Sequence, residues 1–293
     1  MTVVDFESAA AAGDASPQRR PLARARRAIG RSTTLTPASG LGLGVAVLWL
    51  SVLVLIPLCA VVVEASAGGW SEFWNTITNV QTAAAIRMTL MQAFLVTLVN
   101  VVMGTLIAWV LVRDDFFGKR ALEILIDIPF ALPTIVAGLV LLTLYGPKSP
   151  MGLDVAFTRP AIFLAFLFVT LPFVVRTVQP VLAELDPDAE EAAASLGASR
   201  FTVFRRIILP SLVPAISAGA AMSFARAISE YGSLVLLSGN KPLRTEVTSV
   251  RILTYIENGN MAAAAAVASV LLFIALVVIV ALDLLQRRVA RRG

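Results

Sequence analysis

Six apolar stretches alternate with polar segments of uneven length: Leu41–Val63, Met88–Val112, Ala121–Tyr145, Pro160–Val181, Leu212–Leu237 and Met261–Leu285. A helix that crosses a bilayer core needs about 20 apolar residues. Outside closed barrels, only helices satisfy their own backbone polar groups in lipid. The pattern therefore predicts an all-α polytopic membrane protein with six transmembrane helices. The fourth stretch is the weakest, because Pro172, Arg176 and Pro180 interrupt it, although AIFLAFLFVTLPFVV still reads as a span.

Basic residues set the direction of insertion. With the N-terminus inside, the segments facing the cytoplasm carry the clusters Arg19–Arg31, Arg113–Arg120, Arg176–Arg206 and Arg287–Arg292. The external segments hold only Arg87, Lys148, Arg159, Lys241, Arg244 and Arg251. This asymmetry places both termini in the cytoplasm of a multi-pass cell-membrane protein. Residues 1–36, rich in Ala, Arg, Ser and Pro, read as a disordered basic tail. Residues 37–81 hold the first helix and an external loop, 82–285 the main transmembrane domain, and 286–293 a basic cytoplasmic end. Ala65-Ser66-Ala67 resembles a cleavage site, but the polar start and apolar run before it are too long for a typical signal, so the first span is read as an uncleaved anchor.

Composition narrows the chemistry. The mean hydropathy is +0.84 and only 15% of the 293 residues are charged, against about 25% in soluble domains. With no His and a single Cys at position 59, a His/Cys metal site and an intrachain disulfide are excluded. No phosphate-cradling Gly-x4-Gly-Lys-Ser/Thr loop occurs.

The polar segment EEAAASLGASRFTVFRRIILP, from Glu190 to Pro210, stands out between spans four and five. Asp186 suits a helix cap, Pro187 the first helical position, and Asp188, Glu190 and Glu191 the positive end of the helix dipole. Gly197 falls where a left-handed turn would end that helix. Ser199 can cap a second short helix running to Ile208, with Phe201, Phe204 and Ile208 on one face. Pro210 marks the passage into span five. One reading is an amphipathic hairpin lying on the membrane surface. Three adjacent alanines, Ala192–Ala194, favour a docking element for a cytosolic partner, because small side chains let another surface approach the backbone.

The pattern Glu191-Ala192-Ala193-x3-Gly197-x9-Ile207-x-Leu209-Pro210 resembles the EAA motif of bacterial ABC-importer permeases. In that family this loop is a coupling helix seated in a separate ATPase subunit. Further stretches resemble the T-type subunit of sulfate/thiosulfate importers: AWVLVRDDFFGKRALEILIDIPFALPTIVAG, LPFVVRTVQPVL, FARAISEYGSLVLLSGNKPLRTEV and ALDLLQRR. The chain departs from that branch in a short external loop, Gly146–Arg159, and in ISEYG where IGEYG is more usual. The resemblance implies the type I importer permease fold and a subunit that is no enzyme by itself. It also implies three kinds of protein partner: a second homologous permease chain, a cytosolic ATPase dimer that binds ATP and Mg, and an external sulfate-binding protein. No nucleic-acid partner and no cofactor on this chain are expected. Other oxyanions, such as molybdate or tungstate, are the alternative cargo, and an ion-gradient secondary transporter the remote one.

Polar residues inside the spans add candidates. Ser223, Arg226, Glu230 and Ser233 are spaced to form one stripe on a single helical face of span five, and Arg226 and Glu230 stand at i, i+4. Charges at mid-bilayer are costly, so this face should meet protein or water. It is either a buried pair that fixes packing or part of the anion pathway. In span three, Glu123 and Asp127 suit the start of a helix, with Lys119 four residues before Glu123. Pro129 and Pro133 should kink or break that span, which makes Pro129–Thr134 a second pathway candidate. Lys241 and Arg244, in the external loop after span five, read as solvated charges or as guides for an arriving anion.

Overall fold

The computed structural model describes residues 37–290, and the expected tail, residues 1–36, and the last three residues lie outside them. The chain divides after Leu55. In the first unit, α1 (Pro37–Leu50) passes into a wide π-helical turn, Ser51–Leu55. The second unit holds α2 (Ile56–Ser66), α3 (Gly69–Thr78), α4 (Val80–Arg113), α5 (Lys119–Ala131), α6 (Thr134–Tyr145), α7 (Arg159–Ala183), α8 (Pro187–Ser195), α9 (Arg200–Val203), α10 (Leu209–Ile228), α11 (Gly232–Leu237), α12 (Thr248–Glu257) and α13 (Met261–Ala290). No strand occurs among the described residues.

Five helical stretches are long and apolar enough to cross a membrane singly: Ser39–Ser66, α4, α7, Arg200–Ile228 and Met261–Arg288. The pair α5 and α6 is bent by 117° at its break. At 13 and 12 residues, each half spans roughly 20 Å and cannot alone cross a core of about 30 Å. Contacts at the two ends of α4 and at the start of α7 show that the pair makes one crossing. Arg113, at the end of α4, pairs with Glu190 of α8. At the other end, Gln81 Nε2 donates to Glu246 Oε2 at 3.0 Å, and Thr82 shares a 2.8 Å hydrogen bond with Tyr255 of α12. Arg159, opening α7, donates to the Arg244 carbonyl at 3.2 Å, in the same loop as Glu246. The chain thus leaves α4 on the face carrying α8 and enters α7 on the opposite face, so α5 and α6 together supply the sixth crossing.

Small and weakly polar residues let α4, α7 and α10 pack closely. Thr89, Ala93, Val96, Asn100, Gly104 and Ala108 recur at helical spacing along the buried face of α4. A methyl at Gly104 would meet Val174 Cβ at 2.8 Å, and one at Gly219 would meet Val174 Cα at 3.0 Å. Close backbone approach through small residues is how helices associate where no hydrophobic drive separates protein from lipid. The stretch expected to be the weakest span, α7, is the most enclosed, and it keeps Pro172 and Pro180 inside an unbroken helix. Its interruptions reflect a protein-facing environment, where a proline is tolerated.

Span five departs from expectation at both ends. The helix begun at Arg200 does not stop at Ile208; it widens into a π turn, Phe204–Ile208, and runs on through Ile228. The Leu209 N–H reaches back five residues to the Phe204 carbonyl, and Pro210 and Pro214, which lack N–H groups, follow within the next two turns. The span then breaks at Ser229–Tyr231 before α11. In span three, Lys119 pairs with Asp115 at 3.1 Å rather than with Glu123. Gly118 starts α5 in a left-handed turn, which folds the preceding loop back over the first helical residue.

Candidate functional site

The α8–α9 hairpin is built by local chemistry. The Asp186 carboxylate accepts the Asp188 N–H at 3.0 Å, with Pro187 in the first turn. The helix ends in paired reverse bonds: Gly197 N–H to the Ala194 carbonyl at 2.9 Å and Ala198 N–H to the Ala193 carbonyl at 3.0 Å. This geometry needs a left-handed residue, and Gly197 has φ +82° with open space where a side chain would stand. Ser199 Oγ accepts the Thr202 N–H at 3.3 Å and so opens α9.

Tertiary contacts then fix the hairpin on the spans. Arg113 pairs with Glu190 and lies over the Trp109 ring at 5.5 Å, and Trp109 meets Phe204 edge to face at 5.6 Å. Ala193, Phe204 and Ile207 pack on the core beneath, while Leu209 is half-buried and Pro210 exposed. Glu191 and Ala192 face outward. A recess of about 570 Å³ lies between the hairpin and the spans, with Trp109, Glu190, Phe201 and Ile208 in its walls. Phe201 does not join Phe204 and Ile208 on a buried face; it is 69% exposed, and Val203 is buried instead. The π turn adds a residue between them and rotates the inward face. Leu196, at the hairpin tip, is 89% exposed. Leu196 and Phe201 are the two large apolar side chains left bare on the hairpin.

The second candidate region lies where both broken spans meet. The break between α5 and α6 falls at Leu132–Pro133, after the half-buried Pro129, and α6 begins at Thr134. The half-helices α6 and α11 pack against each other through glycine. A methyl at Gly138 would sit 2.7 Å from Ser233 Cα, and one at Gly232 would strike Thr134 Oγ1 and stand 2.9 Å from the Ile135 nitrogen. Pro133 is exposed and Thr134 half-buried beside Gly232.

Arg226 Nη2 lies 2.6 Å from Glu230 Oε2, and the Glu230 side chain is wholly buried whereas that of Arg226 is 29% exposed. Glu230 Oε1 accepts both the N–H and the hydroxyl of Ser233, each at 2.9 Å. The carboxylate therefore caps α11 from the break itself, where the positive end of a helix favours an anion. The expected single stripe is divided by that break. Ser233 belongs to α11, and Ser223 joins a separate buried cluster in which Asn100 Nδ2 donates to Thr170 Oγ1 at 2.7 Å and to Ser223 Oγ at 3.1 Å. Arg226 and Glu230 remain side by side, and Pro129–Thr134 meets this region through Thr134.

Residues 100–292 match the family of binding-protein-dependent transport system inner membrane components. This chain belongs to that family. Among its relatives, the sulfate transport system permease protein CysT of Salmonella typhimurium is 42% identical over 268 residues, 89% of this chain and 97% of that protein. The CysT protein of Synechocystis is 42% identical over 250 residues, 83% of this chain and 87% of its own length. The fold is shared with a bacterial alginate ABC transporter, solved with an alginate pentasaccharide-bound periplasmic protein (TM-score 0.70, 20% identity, 85% of this chain and 93% of that one). It is also shared with the MetNI methionine ABC transporter in an inward-facing form (TM-score 0.57, 18% identity, 70% and 94%).

As a transport-system membrane component, the chain is a permease and carries out no bond chemistry itself. The family implies an ATPase partner and a substrate-binding protein. Three polar constellations of this permease escaped the sequence reading. The Asn100–Thr170–Ser223 cluster had a visible signal, since Asn100 is one of only two side-chain amides, with Gln92, inside the apolar run Met88–Val112. The bidentate grip of Arg176 on Asp127, with the Nε bond at 2.7 Å, joins α7 to α5 near the hairpin face. On the opposite face, Arg251 lies 3.8 Å from the buried Glu246 and 4.5 Å over the Tyr255 ring. Partners 49 positions apart, as Asp127 and Arg176 are, or 165 and 173 apart, as Gln81 with Glu246 and Thr82 with Tyr255 are, gave no local cue.

Proposed function

We propose that this chain is a membrane-spanning subunit of an ATP-driven importer that carries sulfate into the cytoplasm, with thiosulfate as a second candidate cargo. The observation that carries the reading is 42% identity with a sulfate transport system permease across 89% of the chain. The hairpin face is the cytoplasmic one, which puts the end of α13 inside and, by six crossings, the start of α1 as well. A second homologous permease, an ATPase dimer holding ATP and Mg, and an external sulfate-binding protein complete the assembly.

The mechanism is alternating access. Leu196, Phe201 and the outward Glu191 and Ala192 present the hairpin to the ATPase, with Gly197 setting its turn. Because Arg200–Ile228 is one continuous helix, a displacement of the hairpin moves the far end of α10, where Arg226 stands. There the break at Ser229–Tyr231 and the packed half-helices α6 and α11 form the movable constriction. Arg226 offers positive charge to the passing dianion, and Glu230, held by Arg226 and Ser233, keeps α11 capped while the constriction shifts. Growth on sulfate of a strain lacking this chain, with and without added molybdate, tests the reading. Restored growth that molybdate does not suppress supports sulfate, and suppression by equimolar molybdate would reassign the cargo. Uptake that survives loss of the ATPase would point to an ion-gradient carrier instead.

A further inference from the structure

On the face opposite the hairpin, α3 carries a stack of three aromatic rings. Trp70 and Phe73 are 5.5 Å apart and nearly parallel, and Trp70 and Trp74 are 5.9 Å apart at 10°. Phe73 and Ile77 pack on Ala65, Ala265 and Ala266 of α2 and α13. Trp70 and Trp74 remain 76% and 54% exposed. Indole rings with one bare apolar face and a polar N–H settle at the membrane–water boundary.

Beneath the stack lies a recess of about 250 Å³, walled by Val62, Ala65, Trp70, Phe73 and Ser269. The Ser269 hydroxyl is buried there without a hydrogen-bond partner. Buried hydroxyls are ordinarily paired, so an acceptor from outside the chain is called for. The charge along the chain that forms α2 and α3 has one sign. Glu64 borders the adjoining groove, and the Glu72 carboxylate folds back over Gly68. No Lys or Arg occurs between Arg31 and Arg87.

We propose that α3 is an interfacial helix that holds a phospholipid with an ammonium head group in the leaflet opposite the hairpin. One acyl chain fills the recess, its ester carbonyl accepting from Ser269, while Glu72 and the Trp70–Trp74 faces attract the ammonium. Anionic head groups lacking an amine are disfavoured by the two carboxylates. The proposal is independent of which anion the transporter carries.

The test uses the assembled transporter in vesicles of mixed phosphatidylethanolamine and phosphatidylglycerol, with brominated acyl chains on only one of the two. The emission of Trp70 and Trp74 is read as the difference between the wild type and a Trp70→Phe/Trp74→Phe variant, so that all other tryptophans cancel. We expect brominated phosphatidylethanolamine to quench this difference about two- to fivefold more than brominated phosphatidylglycerol, the ratio an exposed ammonium–aromatic contact supplies. Glu72→Gln should reduce that ratio towards one. Equal quenching by both lipids in the wild type would overturn the head-group preference. Quenching by aqueous acrylamide but by neither lipid would overturn the interfacial placement. Shielding from lipid and acrylamide alike, or shielding gained only when the external binding protein is added, would show a protein partner there and overturn the proposal.

Discussion

Removing the guanidinium of Arg226 tests the buried junction most directly. Glu230 has no exposed side-chain surface, and its only cationic neighbour among the described residues is Arg226, 2.6 Å away. Breaking a buried pair from one side leaves an uncompensated charge, at a cost of about 3–5 kcal/mol. The two bonds from Ser233 to Oε1 survive and soften that loss, so Arg226→Ala should fall at the lower end. The reverse change is not equivalent. Glu230→Gln can keep an acceptor for Ser233, and the stranded Arg226 is 29% exposed, so its guanidinium is less sealed within the chain than the Glu230 carboxylate. That change should cost about 1–2 kcal/mol, the scale of weakened hydrogen bonds to a charged group. The double variant Arg226→Met/Glu230→Gln should recover most of what Arg226→Ala loses. Membrane abundance and thermal unfolding in detergent read the stability order, and sulfate uptake read beside them shows whether Arg226 also serves passage. Glu230→Gln as damaging as Arg226→Ala, or a double variant no more stable than Arg226→Ala, would refute the argument. Full stability of the double variant without restored uptake would assign both packing and passage to the pair.

Three further outcomes follow from the packing. Gly197→Val forces a β-branched residue into the left-handed turn at about 1–2 kcal/mol, so ATPase co-purification and uptake should fall together while membrane abundance holds; Gly197→Asn should retain both, and equal loss in the two variants would show that the φ requirement is not the cause. Gly138→Ala drives a methyl against Ser233 backbone, and should depress uptake far more than Ala137→Gly, its small neighbour change, in parallel transport assays. Ser223→Ala removes one acceptor of Asn100, worth about 0.6–1.7 kcal/mol between membrane helices, and should lower the unfolding temperature without altering sulfate selectivity; a changed selectivity would place the cluster on the pathway.

The apolar runs of the sequence determined the number and helical nature of the spans, because run length against bilayer thickness is a one-dimensional constraint. The hairpin was equally legible: Asp186, Pro187, Gly197 and Ser199 act within a few residues of themselves, and the structure places each cap and turn where local chemistry puts it. The prolines likewise marked a break in span three. What only the tertiary structure decided is how the pieces face one another. The break at Ser229–Tyr231 contains no proline, and it follows the seating of Glu230 against Ser233 and of α11 against α6. That break splits a stripe which a continuous helix would have kept on one face. The π turn before Leu209 turned Phe201 outward and Val203 inward. Asp127 found Arg176 because partner choice among charges depends on which helices the packing brings together, whereas Lys119 turned to Asp115 through the local turn at Gly118.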